Sequence, residues 1–282
     1  MSRYRHRIVV SAQNSSYMAW QCKLLHYSSM SRLGQAPCFV LHDDNAELHP
    51  YFHQLVEDGA QVLVRPDYSR TWRGERYAPR NFPATVLAAA ETAAEQCEAF
   101  VFCDPDMIFV QPPDFPLVMS ADKCGFLDFD LPYVRVVIER LRLSKKLIAE
   151  NRVNYNVAAP YVVPSSHAYS LARQWMVATD AFATPRWEDM MYGFGLSNAW
   201  HNVPVTCNEF ANVNHEPLAP QTRPMLHYAY DSPVFSKRNY YREEDLPKLW
   251  DLKPEGNEGS VTHALFTQIA EARAYFESKR LF

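Results

Sequence analysis

The sequence predicts an α/β protein built on a mostly parallel sheet with helices on both faces. Three observations carry that expectation. Short apolar, β-branched runs alternate with amphipathic segments of helical period through the first hundred residues. The runs are apolar at their centres, as strands covered on both faces must be. At 282 residues and 48% hydrophobic, the chain is long enough to bury such a sheet within one continuous domain.

The elements follow in order. Arg7 to Ser11 reads as the first strand, and Tyr17 to Ser31 as a helix with Trp20, Leu24 and Tyr27 on one face and Ser15 or Ser16 as its cap. Cys38 to Leu41 is a second strand, closed by His42-Asp43-Asp44-Asn45. Pro50 to Glu57 is a short helix stopped at Asp58-Gly59, and Gln61 to Arg65 a third strand. The polar stretch from Pro66 to Phe82 leads into an alanine-rich helix, Pro83 to Gln96, with proline in its favoured first turn. Ala99 to Cys103 is a fourth, wholly apolar strand. Beyond it the expectation is a strand at Gly125 to Asp128, a helix from Pro132 to Ala149, a strand from Asn156 to Val163, and helices at Ser166 to Phe182 and Trp187 to Trp200. Asn202 to Leu252 is irregular and rich in proline, and Ser260 to Ser278 is a closing helix. Residues 1–110 are expected to form a nucleotide-binding half and 111–282 an acceptor-side half.

Composition excludes several function classes. A net charge of −4 gives no basic face able to release counterions from many phosphates, so no nucleic-acid partner is expected. No apolar run reaches the ~18 to 20 residues of a membrane helix, and the apolar run after Met1-Ser2-Arg3-Tyr4-Arg5-His6-Arg7 is too short for a signal peptide. Neither a membrane nor a secretory route is expected. The cysteines at 22, 38, 97, 103, 124 and 207 form no Cys-x-x-Cys pair. They read as buried, reduced thiols of a cytoplasmic protein. Glycine-rich phosphate loops of either common kind are absent. Any phosphate must therefore be held by another device.

The segment Phe100-Val101-Phe102-Cys103-Asp104-Pro105-Asp106-Met107-Ile108-Phe109-Val110 supplies one. Two carboxylates one residue apart interrupt an apolar strand, and on an extended chain they point the same way. Converging anions repel unless a cation neutralises them, so a divalent metal is the natural occupant. A solvated turn at a strand end is the structural alternative. Aspartyl-phosphate phosphatases place such a pair after the first strand, whereas here it follows the fourth. A metal at this point would clamp a diphosphate and neutralise charge on a leaving group, which points to transfer from a nucleotide-activated donor.

These residues resemble the Asp-x-Asp motif of nucleotide-sugar-dependent glycosyltransferases of the GT-A fold. Five blocks resemble more narrowly the hydroxyproline O-arabinosyltransferases and peptidyl-serine α-galactosyltransferases of plants and algae. They are Val9-Val10-Ser11-Ala12 with Tyr17 and Trp20-Gln21-Cys22-Lys23; Arg80-Asn81-Phe82; Asp104-Pro105-Asp106-Met107-Ile108-Phe109-Val110; Met191-Tyr192-Gly193-Phe194; and Leu226-His227-Tyr228-Ala229-Tyr230. The chain departs from that pattern in lacking an N-terminal anchor, in carrying Asn14 where an acidic residue is expected, and in shifting the acidic residue before Met-Tyr-Gly to Glu188 or Asp189.

The resemblance implies a GT-A-like fold and a metal-dependent transferase, expected to retain anomeric configuration, moving arabinose or galactose from a UDP-sugar to a hydroxyl acceptor on a peptide or small molecule. Asp104, Asp106 and His227 would hold Mn²⁺ or Mg²⁺, with Asp104 also reaching the ribose. Ser11, Ala12 and Gln13, in the loop after the first strand, would meet the nucleotide, and Arg80 the diphosphate. Arg70, Arg73 and Arg76 are further basic candidates, for a phosphate or an acidic acceptor. Glu188 and Asp189 are the candidate catalytic carboxylates, although negative charge also suits a helix start for structural reasons alone. Asp128 and Asp130 stand in reserve. Trp187, Tyr192, Phe194, Tyr228 and Tyr230 could stack on sugar faces. A sugar-nucleotide nucleotidyltransferase and a non-catalytic nucleotide- or carbohydrate-binding protein are the alternatives.

Overall fold

The computed structural model describes residues 4–45 and 47–279. Met1-Ser2-Arg3, part of the basic start read above, lie outside the described residues. In chain order the strands are β1 (Tyr4–Gln13), β2 (Cys38–His42), β3 (Gln61–Arg65), β4 (Cys97–Cys103), β5 (Met107–Phe109), β6 (Ser120–Lys123), β7 (Val157–Pro164), β8 (Thr206–Asn208), β9 (Ala211–Val213) and β10 (Met225–His227). The helices are α1 (Ser16–Leu33), α2 (His53–Glu57), α3 (Asn81–Ala93), α4 (Pro132–Arg140), α5 (Lys145–Tyr155), α6 (Ser165–Asp180), α7 (Asp189–His201), α8 (Leu246–Trp250) and α9 (Val261–Ser278).

The expected α/β architecture is present: a seven-stranded sheet ordered β3-β2-β1-β4-β7-β6-β8 and a three-stranded sheet ordered β5-β10-β9. β1 and β4 pair in parallel, Val10 opposite Cys103. β7 runs antiparallel to both β4 and β6, a reversal that an apolar run cannot announce because its composition is the same in either direction.

Local chemistry explains most of the boundaries. Ser15 caps α1 by accepting from the Met18 N–H at 3.4 Å, and Gly34, at φ 63°, ends it in the left-handed conformation that glycine adopts freely. The helix expected from Pro132 to Ala149 is two helices. Arg142 takes a φ of 55° between them, which no helix accommodates, and Ser144 caps α5 through the Leu147 N–H at 3.2 Å. The strand expected at Gly125 to Asp128 is displaced to β6, and residues 124–128 are irregular. There Asn156 takes over the hydrogen bonds a strand would have made, accepting from the Leu127 N–H at 2.9 Å and donating to its carbonyl at 2.8 Å.

The backbone groups into two compact units, each of three chain segments. One comprises residues 1–11, 65–103 and 115–208, the other 12–64, 104–114 and 209–282. The core of the first is aromatic: Trp175, fully buried, lies 5.0 Å from the ring of Tyr161 and 4.9 Å from that of Phe194, and donates its indole N–H to the Met190 carbonyl at 2.6 Å. α7 comes close enough to its neighbours that two positions admit no side chain. A Cβ on Gly195 would stand 2.9 Å from the Cβ and 3.1 Å from the carbonyl oxygen of Tyr155. Gly195→Ala is therefore expected to cost about 1–3 kcal/mol through overpacking, read as a lower urea midpoint at unchanged slope.

The second unit packs α1 and α9 with α8 around Trp20, Leu24, Leu249, Leu265 and Ile269, and this core includes Ile108 of β5 and Leu226 and Tyr228 at the end of β10. Ile108, two residues beyond the Asp-Pro-Asp corner, is thus anchored in this core. That anchoring fixes where the corner's carboxylates stand.

Candidate metal centre

The corner is a turn rather than a continuous strand. β4 ends at Cys103, β5 starts at Met107, and the Met107 N–H donates to the Asp104 carbonyl at 3.3 Å. The two carboxylates converge because the chain folds back through Pro105, not by the alternation of an extended strand that the spacing suggested. β5 then leaves the large sheet and pairs antiparallel with β10, His227 opposite Met107. The Tyr228 N–H donates to the Asp106 carbonyl at 3.0 Å. This register, between segments 121 residues apart, carries the imidazole to the corner.

The side chains complete it. His227 Nε2 lies 3.1 Å from Asp106 Oδ1 and 3.8 Å from Asp104 Oδ2. Donor atoms of Asp104, Asp106 and His227 all fall within 4.8 Å of one another. Two carboxylates and an imidazole suit Mn²⁺ or Mg²⁺ and leave positions open for oxygen ligands from elsewhere. The residues fit a divalent cation.

Electrostatics point the same way. Burial and then the charge of Asp106 push the Asp104 carboxyl up to about 6. Burial also acts to raise Asp106, but the attraction of His227 and of Lys237 outweighs it and holds Asp106 well below the usual carboxylate range. For His227, burial works against the charged imidazole, and Asp106 more than offsets it, raising its proton affinity. Positive charge at the corner comes from its own side chains, His227 and Lys237.

Lys237 is the residue that sequence reading missed. Its ammonium hydrogen-bonds Asp106 Oδ2 on the side of the carboxylate away from His227. It stands at the start of a single 3₁₀ turn, Lys237–Tyr240, inside the stretch read as irregular. Ser236 caps that turn through the Arg238 N–H at 3.3 Å. A Ser-Lys-Arg-Asn run after a proline-punctuated loop is ordinary surface composition, so only the folded chain reveals it.

The other expected site residues fall as follows. β1 runs through Gln13, so Ser11, Ala12 and Gln13 end a strand instead of lying in the loop after it. The Ser11 hydroxyl accepts from Thr85 at 2.8 Å. Asn14, in place of the expected acid, ties a loop together by donating to Asp43 at 3.0 Å and the Glu47 carbonyl at 2.7 Å and accepting from the His49 N–H at 2.9 Å.

Arg80 makes a bidentate pair with Asp180 at 2.7 and 2.8 Å and donates to the Tyr68 carbonyl at 2.8 Å; a phosphate reaching it would have to displace that carboxylate. Arg73 donates to the Ala183 carbonyl at 3.0 Å, and Arg70 and Arg76 face each other across an isolated bridge.

Glu188 is half-buried, 3.4 Å from the Tyr133 hydroxyl. Asp189 is fully buried. One of its oxygens accepts from the Arg186 N–H at 2.7 Å, and the other has no hydrogen-bond partner among the described residues. Burial pushes its carboxyl up to about 7. Asp130 is paired with Arg135 at 3.0 Å, and Asp128 accepts from the Asp130 N–H at 2.9 Å. Of the aromatic candidates, Tyr192, Phe194 and Tyr228 are core residues, whereas Trp187 and Tyr230 are exposed.

No family model matches the chain, and no curated protein matches it. Among solved structures it is similar to WbbM, a bifunctional glycosyltransferase in its apo form, at 14% identity and a TM-score of 0.50 over 99% of this chain. The match spans 51% of the length of that protein. The chain has a glycosyltransferase-like fold. In it, the acidic corner comes directly after β4 in the chain, the strand that pairs in parallel with β1. Among the described residues no helix is long and apolar enough to cross a membrane.

Proposed function

We propose that this protein is a metal-dependent glycosyltransferase that moves a sugar from a UDP donor to a hydroxyl acceptor. The observation that carries the reading is the cluster of Asp104, Asp106 and His227 within 4.8 Å, on a glycosyltransferase-like fold. Bound there, Mn²⁺ or Mg²⁺ would supply charge neutralisation for the departing diphosphate. Asp106, whose carboxyl His227 and Lys237 hold well below the usual carboxylate range, would be the firmest ligand. Asp104 would be a second and would also meet the ribose. His227, held by the Met107 register, would offer a bound metal a neutral nitrogen once deprotonated and temper the total negative charge.

For the transfer step we assign a carboxylate at the start of α7. Glu188 is the more accessible of the pair and Asp189 the more perturbed. Retention of configuration, arabinose or galactose as the sugar, and a peptide or small-molecule hydroxyl as acceptor come from the sequence resemblance. A cytoplasmic setting comes from the sequence reading alone, in which the six cysteines form no Cys-x-x-Cys pair.

The test is a thermal-shift screen of UDP-sugars with Mn²⁺, followed by assay of UDP release. Ligand at about 100 times its Kd adds about 2.7 kcal/mol to the folded state, a rise of several degrees in Tm. A donor that raises Tm only with metal and is then slowly consumed to UDP is the expected result. Pyrophosphate exchange would instead identify a nucleotidyltransferase, and binding without turnover a non-catalytic binding protein.

A further inference from the structure

Both oxygens of Asp106 are engaged, Oδ1 by His227 at 3.1 Å and Oδ2 by the Lys237 ammonium. The lysine is not a loose surface group. Its side chain is 20% exposed, against 8% for the Asp106 side chain, and the capped 3₁₀ turn fixes its backbone. An ammonium and a divalent cation compete for the same lone pairs, and the metal must also pay the repulsion of a positive charge held beside it.

We propose that Lys237 is a tethered cation occupying part of the divalent-metal position on Asp106, so that a bare metal ion binds weakly while metal and diphosphate bind as a coupled pair. The proposal rests on the metal-centre reading above and deepens it. With the ammonium in place, two carboxylates already have one permanent positive charge among them. A bare divalent ion therefore overfills the site with positive charge. A diphosphate arriving with the metal restores the balance and gives the displaced ammonium an anionic partner. Coupling of this kind is reciprocal: the diphosphate tightens metal binding by the same factor as metal tightens the diphosphate.

The experiment measures Mn²⁺ affinity of the full chain by the electron paramagnetic resonance signal of free Mn²⁺, at one fixed pH, with and without inorganic pyrophosphate and with free Mn²⁺ fixed by titration. Lys237→Met is expected to bind bare Mn²⁺ at least tenfold more tightly than the wild type, and to show a correspondingly smaller gain on adding pyrophosphate. Lys237→Arg keeps the charge and is expected to retain weak bare-metal binding. Melting curves verify that each variant is folded, and Lys237→Gln repeats the test should the methionine variant fail to fold. Bare-metal affinity equal to or below wild type in the folded neutral variants overturns the role of Lys237 while leaving the metal centre standing. If the wild type shows no Mn²⁺ site that Asp106→Asn removes, in either condition, the metal centre itself is lost and the proposal with it.

Discussion

Asp106→Asn is expected to abolish Mn²⁺-dependent donor binding and UDP release together, with metal affinity falling by at least about 100-fold, or roughly 2.7 kcal/mol. Asp106 is the hub of the corner, since His227 and Lys237 both bond to its carboxylate and its main-chain carbonyl is tied to Tyr228. An amide keeps the size and one acceptor but loses the charge that makes the pocket a cation site. The substitution also frees Lys237 from its partner, a loss that its partial exposure moderates, because the ammonium can turn toward water. The metal-free variant should therefore remain folded with a modestly lower Tm. The check is a pair of melting curves, with and without Mn²⁺ and donor. A ligand-induced rise as large in the variant as in the wild type would remove Asp106 from the site.

Asp189→Asn is expected to stabilise the protein at pH 8 by an amount on the order of 4 kcal/mol, and to have little effect near pH 4. In the folded state Asp189 releases its proton at about 7 instead of its ordinary 3.8, because burial disfavours the charged form. Between those limits the folded chain holds a proton that the unfolded chain has lost, so wild-type stability falls as pH rises from about 4 to about 7. Above that window the full cost is present, and an asparagine never incurs it. The Arg186 N–H keeps an acceptor in the variant, and the second, unpartnered oxygen becomes an amide that is equally unpartnered. Urea denaturation of both proteins at pH 5 and pH 8 measures the difference. A gain that is the same at both values, or a loss at pH 8, would contradict a buried ionised carboxylate. A variant that is more stable yet inactive would place Asp189 among the functional carboxylates, since a costly buried charge is retained only where it serves something.

Much of this molecule was legible in one dimension. The runs at Cys38, Gln61 and Ala99 announced strands because β-branched and aromatic residues bounded by turn residues have few other stable fates. Asp104 and Asp106 were visible as candidate ligands because two acids inside an apolar stretch need a counter-charge. His227 was legible only through its resemblance block, since one histidine between Leu226 and Tyr228 has no local signature.

Five features were decided only by the folded backbone. The turn at Pro105, and not strand alternation, brings the two carboxylates together, and the β5–β10 register brings His227 to Asp106. Lys237 arrives from a segment with no hydrophobic period at all. Arg142 splits a helix whose apolar spacing runs on across the break. Tyr192 and Phe194, candidates for stacking on a sugar face, are enclosed by Phe129, Tyr133, Tyr161 and Trp175. The Pro105 turn and the Arg142 break are local backbone choices; for the register, Lys237 and the enclosed aromatics the physical reason is shared. Composition and period report what a residue prefers within a turn or two of its own chain, and so they determined which segments became strands and where the acids lay. Which distant groups share a charge or a core is set by pairings between segments far apart in sequence, and only the folded backbone made that choice.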